Sequence, residues 1–381
     1  MKWQYYPSQS MKTKNDTIPQ ITIGVDLGDK KHHYCVVDQG GNILKRGKLL
    51  NTREAFTHLA AEYSGARVAM EVGTHSPWIS EHLLKEGCEV YVANARKLRA
   101  IYQNERKCDD YDAEMLARLA RVDTSLLKPV THISQDAMTD RLVLGAREQL
   151  VEARKGLIQS VRGSVKSLGY RIDSCSAAVF GKKARGLLGA NEAAMRGLEP
   201  MLTAIEAMSE SIRELDAEVE RLGREEYEVT KIFRQIAGVG PVSSLGFALA
   251  IEDPGRIGKT RDVGAYLGIV PRRDQSGDTD KALGISKTGN AYVRKLLVQC
   301  AQYILGAHGP DCDLRRFGLK LAERGGKAAK KKAIVAVARK LAVLLLSLWK
   351  SGEDYDPDHV TTRREKAVKA PEAKLEERLA A

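Results

Sequence analysis

The run QITIGVDLGDKKHHYCVVDQGGNILKRGKL, residues 20–49, opens with two β-rich segments separated by polar residues, and the second ends at Asp38-Gln39-Gly40-Gly41. Asp and Gly clustered after an apolar run mark a turn, so the stretch predicts a β-hairpin followed by a third strand. Next come a helix-like segment over residues 53–63, the strand RVAMEVG at 67–73, a helix over 78–85 and the strand EVYVAN at 89–94. A further helix begins within RKCDDYDAEMLARLA, residues 106–120. The order βββαβαβα describes a mixed-sheet α/β unit over residues 20–125, preceded by a polar lead-in over 1–19.

The remainder reads differently. From 138 to 225 helical periodicity replaces strand-like runs: Ile205, Met208, Ile212, Leu215, Val219 and Leu222 alternate steps of three and four, as do Val143, Ala146, Leu150, Ala153 and Leu157. Such seams pair helices. The two stretches either fold back on each other through the Gly-rich region 181–189, as an antiparallel coiled-coil arm, or join two chains. A third, mainly helical unit spans 231–350, and the charged stretch 351–381 is a solvated tail.

With 381 residues, 43% hydrophobic and 29% charged, the chain is expected to fold as a multi-domain globular protein. Its 61 Lys and Arg against 49 Asp and Glu leave a net charge of +12, which points to a polyanionic partner, nucleic acid first. Six scattered cysteines offer no zinc or redox spacing. The N-terminus lacks the apolar core of a signal peptide. The apolar run at 333–349 carries Arg339 and Lys340 in its middle and is too short for a bilayer span, so it predicts a buried helix. No membrane role and a bacterial cytoplasmic location are therefore expected.

Two acids occupy positions where an unpaired carboxylate is costly. Asp26 lies inside the apolar strand ITIGVDLG, and Glu71 ends the apolar part of RVAMEVG. On the helix, Asp109 and Asp112 are three apart and share a face with Leu116 and Leu119 nearby, whereas Asp110 and Tyr111 point elsewhere. Capping explains the helical pair alone. Together with Asp26 and Glu71, however, they make four carboxylates able to hold two Mg2+ ions, the arrangement that clamps the attacking and leaving oxygens of a phosphoryl displacement.

In the C-terminal part, IAGVGPVSS (236–244) sets Gly238 and Gly240 around an apolar residue. That is either a phosphate-approaching turn like a helix-hairpin-helix or a tight helix connection. The stretch YLGIVPRRDQSGDTDKALGISKTGNAYVRKLL (266–297) shows neither helix nor strand period until about residue 290 and predicts an irregular active loop. Its Arg272, Arg273, Lys281, Lys287 and Arg294 are candidate phosphate contacts, or a solvated basic loop.

GVDLG, MEVG and KCDDYDA, in this order, resemble the DEDD-type transposases of the insertion sequence 110 class, related to the Piv DNA invertase. The resemblance implies an N-terminal domain similar to RuvC and RNase H. It carries the four acids onto Asp26, Glu71, Asp109 and Asp112, with Lys107 heading the third motif and Asp110 outside the pattern. LG-x-x-P-R, then SG, then Ser/Thr-Lys-x-Gly resembles the second conserved domain of the class, which implies a serine nucleophile toward DNA: Ser276 of QSGD beside Gly277, with Ser286 of ISKTGN as the alternative. No local histidine offers an obvious base. The class further implies donor and target DNA as substrates, assembly through the arm, a composite site with acids and serine from different subunits, and a noncoding bridge RNA as guide. The resemblance spans roughly residues 20–350.

Competing functions differ in what they leave unexplained. A RuvC-like endonuclease would use the same acids with water as nucleophile, Ser276 then being a phosphate ligand. An actin-like ATPase would need GVDLGDKK and VDQGG in separate lobes, but they share one hairpin. A basic coiled-coil nucleic-acid binder gives Asp26 and Glu71 no role.

Overall fold

The computed structural model describes residues 19–94, 109–276, 279–359 and 361–362, and of residues 273, 274, 276 and 279–282 only the backbone. Most of the lead-in, Lys107, Gly277 and the tail beyond 362 lie outside the described residues. The chain forms two compact units, residues 1–135 and 136–381, so the helical stretch and the C-terminal part belong to one unit.

The first unit carries a five-stranded sheet of β1 (Ile21–Asp26), β2 (Lys31–Asp38), β3 (Ile43–Leu50), β4 (Arg67–Glu71) and β5 (Glu89–Ala93), in the order β3-β2-β1-β4-β5. The first three strands are antiparallel, and β4 and β5 run parallel to β1. With α1 (Arg53–Glu62), α2 (Ser76–Lys85) and α3 (Asp109–Val122), the element order is the expected one and is consistent with an RNase H-like domain.

Alternate strand residues point to opposite faces, so each face has its own composition. One face buries Ile23, Val25, Val36, Val68 and Met70 against Phe56 and Leu59 of α1 and Ile79 and Leu83 of α2. The other face is made of small residues and receives α3: Ala69 and Ala93 meet Leu116 and Ala120, while Cys35 and Val37 meet Ala113 and Ala117. The approach is closest at Gly24. A Cβ there would lie 2.0 Å from the Ala113 carbonyl oxygen and 2.5 Å from the Ala117 amide nitrogen. Polar bonds fix the helix along its length. Arg118 and Arg121 donate to the carbonyls of Gly41 and Gln39 at 3.1 and 2.9 Å, Arg46 of β3 pairs with Glu114, and buried Arg67 donates to the Ala120 carbonyl at 3.0 Å.

The second unit begins with three helices, α4 (Gln135–Lys166), α5 (Ala177–Leu188) and α6 (Glu192–Glu225). The Gly-rich segment expected to form a turn is instead α5, where Gly181 serves close packing: a Cβ would lie 2.4 Å from Glu206 Oε1 of α6. Val161, Val165, Phe180, Ala184, Leu198, Leu202 and Ile205 form the core here. On α6 the expected seam turns inward, with Ile205, Ile212, Val219 and Leu222 buried. On α4 the inward row is one residue later than expected, running through buried Leu144, Val161 and Val165 with Arg147 and Arg154 between. Arginine stems cover apolar surface while their heads bond, so these inward positions carry no apolar residue for periodicity to register. Arg147 pairs with Asp216 at 2.5 Å, Arg154 Nη1 donates to Ser209 Oγ at 3.0 Å and the Tyr227 hydroxyl donates to Asp140 at 2.6 Å, so α4 and α6 run antiparallel.

There follow α7 (Val229–Phe233), α8 (Pro241–Ile251), α9 (Val263–Tyr266), the strands β6 (Pro271–Ser276) and β7 (Thr279–Ile285), α10 (Ala291–Leu305), α11 (Asp313–Ala322) and α12 (Gly326–Ser351). Phe233 stacks edge-on against Phe247 and Trp349, tying α7, α8 and α12 together. The apolar run at 333–349 is the buried part of α12, and among the described residues no helix is long and apolar enough to cross a membrane. The first residues of the expected tail are held: Gln235 donates to Asp354 at 2.6 Å, and the Asp313 amide to the Pro357 carbonyl at 2.8 Å.

Overpacking at a helix–strand contact typically costs about 1–3 kcal/mol. Gly24→Ala is therefore expected to lower the stability of the first unit by about that amount, as measured by urea denaturation.

Candidate active site

Asp26 is the last residue of β1 and Glu71 the last of β4. The parallel register sets Val25 beside Met70, and one step on it brings Asp26 beside Glu71 at the ends of neighbouring strands. Asp26 shares a face with Gly24, and Glu71 with Ala69, so alternation turns both acids toward the side that α3 covers. Asp109, Asp110 and Asp112 all fall in the first turn of α3, where the helix dipole favours negative charge. Gly24 brings the backbone of α3 onto β1, and that contact carries the start of the helix to the end of the strand.

The electrostatics follow from this placement. Burial pushes the Asp26 carboxyl above its usual range, and the charges of Asp109 and Asp112 push it further in the same direction. Carboxylates of like charge that act on one another in this way form a donor set suited to a hard divalent cation with oxygen ligands. Among the described residues, no three His, Cys, Asp or Glu side chains are drawn close enough together to constitute a finished metal cage. The acids within electrostatic reach of one another here are Asp26, Asp109 and Asp112, with Glu71 at the adjoining strand end.

Asp110 has a partner that the sequence did not suggest. His33, opposite Asp26 in the β1–β2 register, donates from Nδ1 to Asp110 Oδ1 at 2.5 Å, and its Nε2 lies 3.7 Å from Asp109. This bond holds the Asp110 carboxyl below the usual range. It ties the first turn of α3 to β2, complementing the arginine bonds nearer the other end of the helix. Alternation along KHHYCVV was the available clue, because His33 shares its face with Cys35 and Val37, both of which touch α3.

In the second unit the segment expected to be an irregular loop is an antiparallel two-stranded sheet, β6 with β7. The sequences PRRDQS and TDKALGI carry no period-two apolar pattern, which is why the strands were not legible. Ser276 is the last residue of β6 and pairs with Thr279, the first of β7. Ser286 is at the opposite end, where its amide donates to the Val270 carbonyl at 2.9 Å and its hydroxyl bonds Thr288 at 3.0 Å.

The glycines of the motif form a clasp at this base. Gly268 (φ +70°) and Gly289 (φ +82°) would place a Cβ 1.9 Å from the Thr288 carbonyl oxygen and 2.0 Å from that of Tyr266, respectively. Arg294 belongs to the same clasp, donating to the carbonyls of Leu267 at 2.9 Å and Thr288 at 3.3 Å. Arg272 and Lys287 are exposed, while the side chains of Arg273 and Lys281 lie outside the described residues. Gly238 (φ +88°) is packed, a Cβ there meeting Tyr303 at 2.7 Å, whereas the position of Gly240, just before α8, is open.

Residues 23–169, which include all four acids, match the DEDD transposase family of the IS110 kind, and residues 230–314, which include both serines, match the family described as "Transposase IS116/IS110/IS902 family". The chain belongs to this transposase family. The chain is 25% identical over 340 residues to the transposase for insertion sequence element IS1111A of Coxiella burnetii, an alignment covering 87% of this chain and 90% of the relative. It is 26% identical over 345 residues to a probable family 20 transposase of Pseudomonas aeruginosa, covering 88% of this chain and 98% of that one.

The raised proton affinity of Asp26 gives the transposase a signed pH dependence. A carboxyl that titrates higher folded than unfolded favours folding below the unfolded value of 3.8, and this contribution is lost as pH rises through the raised folded value. Asp26→Asn should therefore melt above wild type at pH 7 without metal, and the difference should shrink toward pH 3.8. Added Mg2+ should raise the melting temperature of wild type more than that of the variant, as read by differential scanning fluorimetry.

Proposed function

We propose that this transposase cuts and rejoins DNA strands, with Asp26, Glu71, Asp109 and Asp112 holding two Mg2+ ions and Ser276 as the nucleophile. The observation that carries this reading is the close packing of α3 on β1 at Gly24, which brings the acidic first turn of the helix to the strand end that carries Asp26. The bound ions would supply charge neutralisation at the phosphate and a lowered proton affinity for coordinated oxygens.

The serine accounts for rejoining without an external energy source. Its Oγ forms a bond to phosphorus as the bond to a deoxyribose oxygen breaks, so one phosphoester replaces another. A free hydroxyl of a second strand then reverses the exchange, forming the new phosphodiester and releasing the serine. The place of Ser276 at the end of β6 opposite the Gly268–Gly289 clasp that holds Ser286 favours it as the residue that approaches a strand.

Donor and target DNA are the substrates of this activity. The family resemblance supports a bridge RNA as guide, and assembly of copies through the α4–α6 arm to bring acids and serine together. Arg272, Lys287 and the open backbone at Gly240 are the described groups suited to phosphate contacts; Arg273 and Lys281 belong to the same stretch of sequence as Arg272 and Lys287, and Lys107 heads the motif that carries Asp109 and Asp112.

Outer-shell partners of metal ligands typically cost about 10–100-fold when removed, so loss of a ligand should cost at least as much. Asp109→Asn and Asp112→Asn should each lower strand cleavage by about a hundredfold or more. Asp110→Asn should leave it largely intact, because its amide oxygen still accepts from His33. A suicide DNA substrate should trap a covalent protein adduct with wild type and none with Ser276→Ala. An adduct that persists in Ser276→Ala but is lost in Ser286→Ala would move the nucleophile to the clasp, and cleavage without any adduct would support water as the attacking group.

A further inference from the structure

The buried residues Ala338, Leu341, Leu345 and Leu348 of α12 repeat at steps of three and four. Carried back toward the start of the helix, the same steps pass through half-buried Ile334 and arrive at Lys331 and Lys327. The neighbouring row of Leu341, Val337 and Ala333 arrives at Lys330. All three lysines are exposed, and Ala333 is the first buried residue of the helix. The stripe that faces the core along most of α12 therefore continues as ammonium groups at its free end. A solvated helix face is normally the one opposite the apolar stripe. Here the charge stands in line with it.

The surroundings strengthen the same charge. Residues 320–332 contain Lys320, Arg324, Lys327, Lys330, Lys331 and Lys332 against Glu323 alone, a net +5 of the chain's +12. All six cations are exposed, and among the described residues none of them has a carboxylate partner. Elsewhere in this unit arginines are held by acids: Arg185 by Glu199 and Glu206, Arg221 by Glu218, Arg316 by Asp311 and Asp358. The turn into α12 is made by Gly325 and Gly326, both at positive φ, and the first turn of the helix has no acidic residue. Lysines in the first turns of a helix oppose its dipole, so they do not serve the helix's own stability.

We propose that Lys327, Lys330 and Lys331 form a docking surface for the phosphate backbone of duplex DNA, contacted without regard to base sequence. This inference rests on the DNA-processing reading above and adds a place on the protein at which the duplex is held. Charge complementarity and the membership of a transposase family commit the occupant to DNA; a structured RNA is the alternative the test separates.

The test measures binding of the full chain to a fluorescent duplex of arbitrary sequence across a salt series. Each lost phosphate contact lowers the slope of log K against log salt by about 0.9, so K327Q/K330Q/K331Q should lower it by about 2.7. The arginine triple variant, K327R/K330R/K331R, should keep the wild-type slope. K332Q, on the other side of the helix, should keep it too. Because glutamine relieves the conflict with the helix dipole, the glutamine variant should melt no lower than wild type.

A wild-type slope in the glutamine variant overturns the proposal, as does an equal loss per charge in K332Q, which would mark a general effect of net charge. A slope loss seen with an RNA hairpin and absent with duplex DNA assigns the surface to RNA and also overturns it. Failure of wild type itself to bind any duplex would instead sink the DNA-processing reading, so the two failures are distinct.

Discussion

The backbone of α3 rests on β1 because Gly24 has no side chain. Much else in the first unit follows from that contact. The helix lies against a sheet face built of Gly and Ala, so its first turn is brought to the end of β1 and its acids meet Asp26. A larger residue at this point would lift the helix off the strand and separate charges that the proposed chemistry needs together. The arginines bonded to the β2–β3 turn and the His33–Asp110 bond then fix the direction of a helix whose distance Gly24 has already set. Close packing here is a condition for assembling repelling groups, and the stability of the fold opposes their repulsion.

The first unit was largely legible in the sequence because its strands are long, apolar and punctuated by turn residues. Asp26 and Glu71 stood out for the same reason, as charges in apolar strands. Residues whose placement depends on tertiary register were less visible. His33 takes its meaning from standing opposite Asp26, and Asp110 from meeting His33. On α4 the inward positions of Arg147 and Arg154 carry charged residues, so the apolar rhythm suggested a row one residue earlier. The β6–β7 hairpin has no apolar alternation, and its motif glycines show their purpose once residues 266–268 and 287–289 are seen to touch.

The second unit divides its charges by use. Arginines such as Arg185 and Arg221 bind acids of their own unit, and Arg294 is taken up by backbone carbonyls. Such cations hold elements in place and have little left for a partner. A basic composition alone would have treated them as equal to the exposed lysines of α12. The distinction rests on which cations already have oxygen neighbours.

The bonds between α4 and α6 carry a consequence for how this chain can vary. Arg147 faces Asp216, and seven residues on, Arg154 faces Ser209, seven residues back. A slip of one heptad in one direction would set Arg154 against Leu202, and in the other would set Arg147 against Gly223, each leaving a guanidinium without its partner. Insertions or deletions in either helix alone are thereby penalised, while matched changes of whole heptads in both preserve every pair. The α4–α6 pair can change its length in evolution only as a coordinated edit of two stretches that lie about fifty residues or more apart in the sequence.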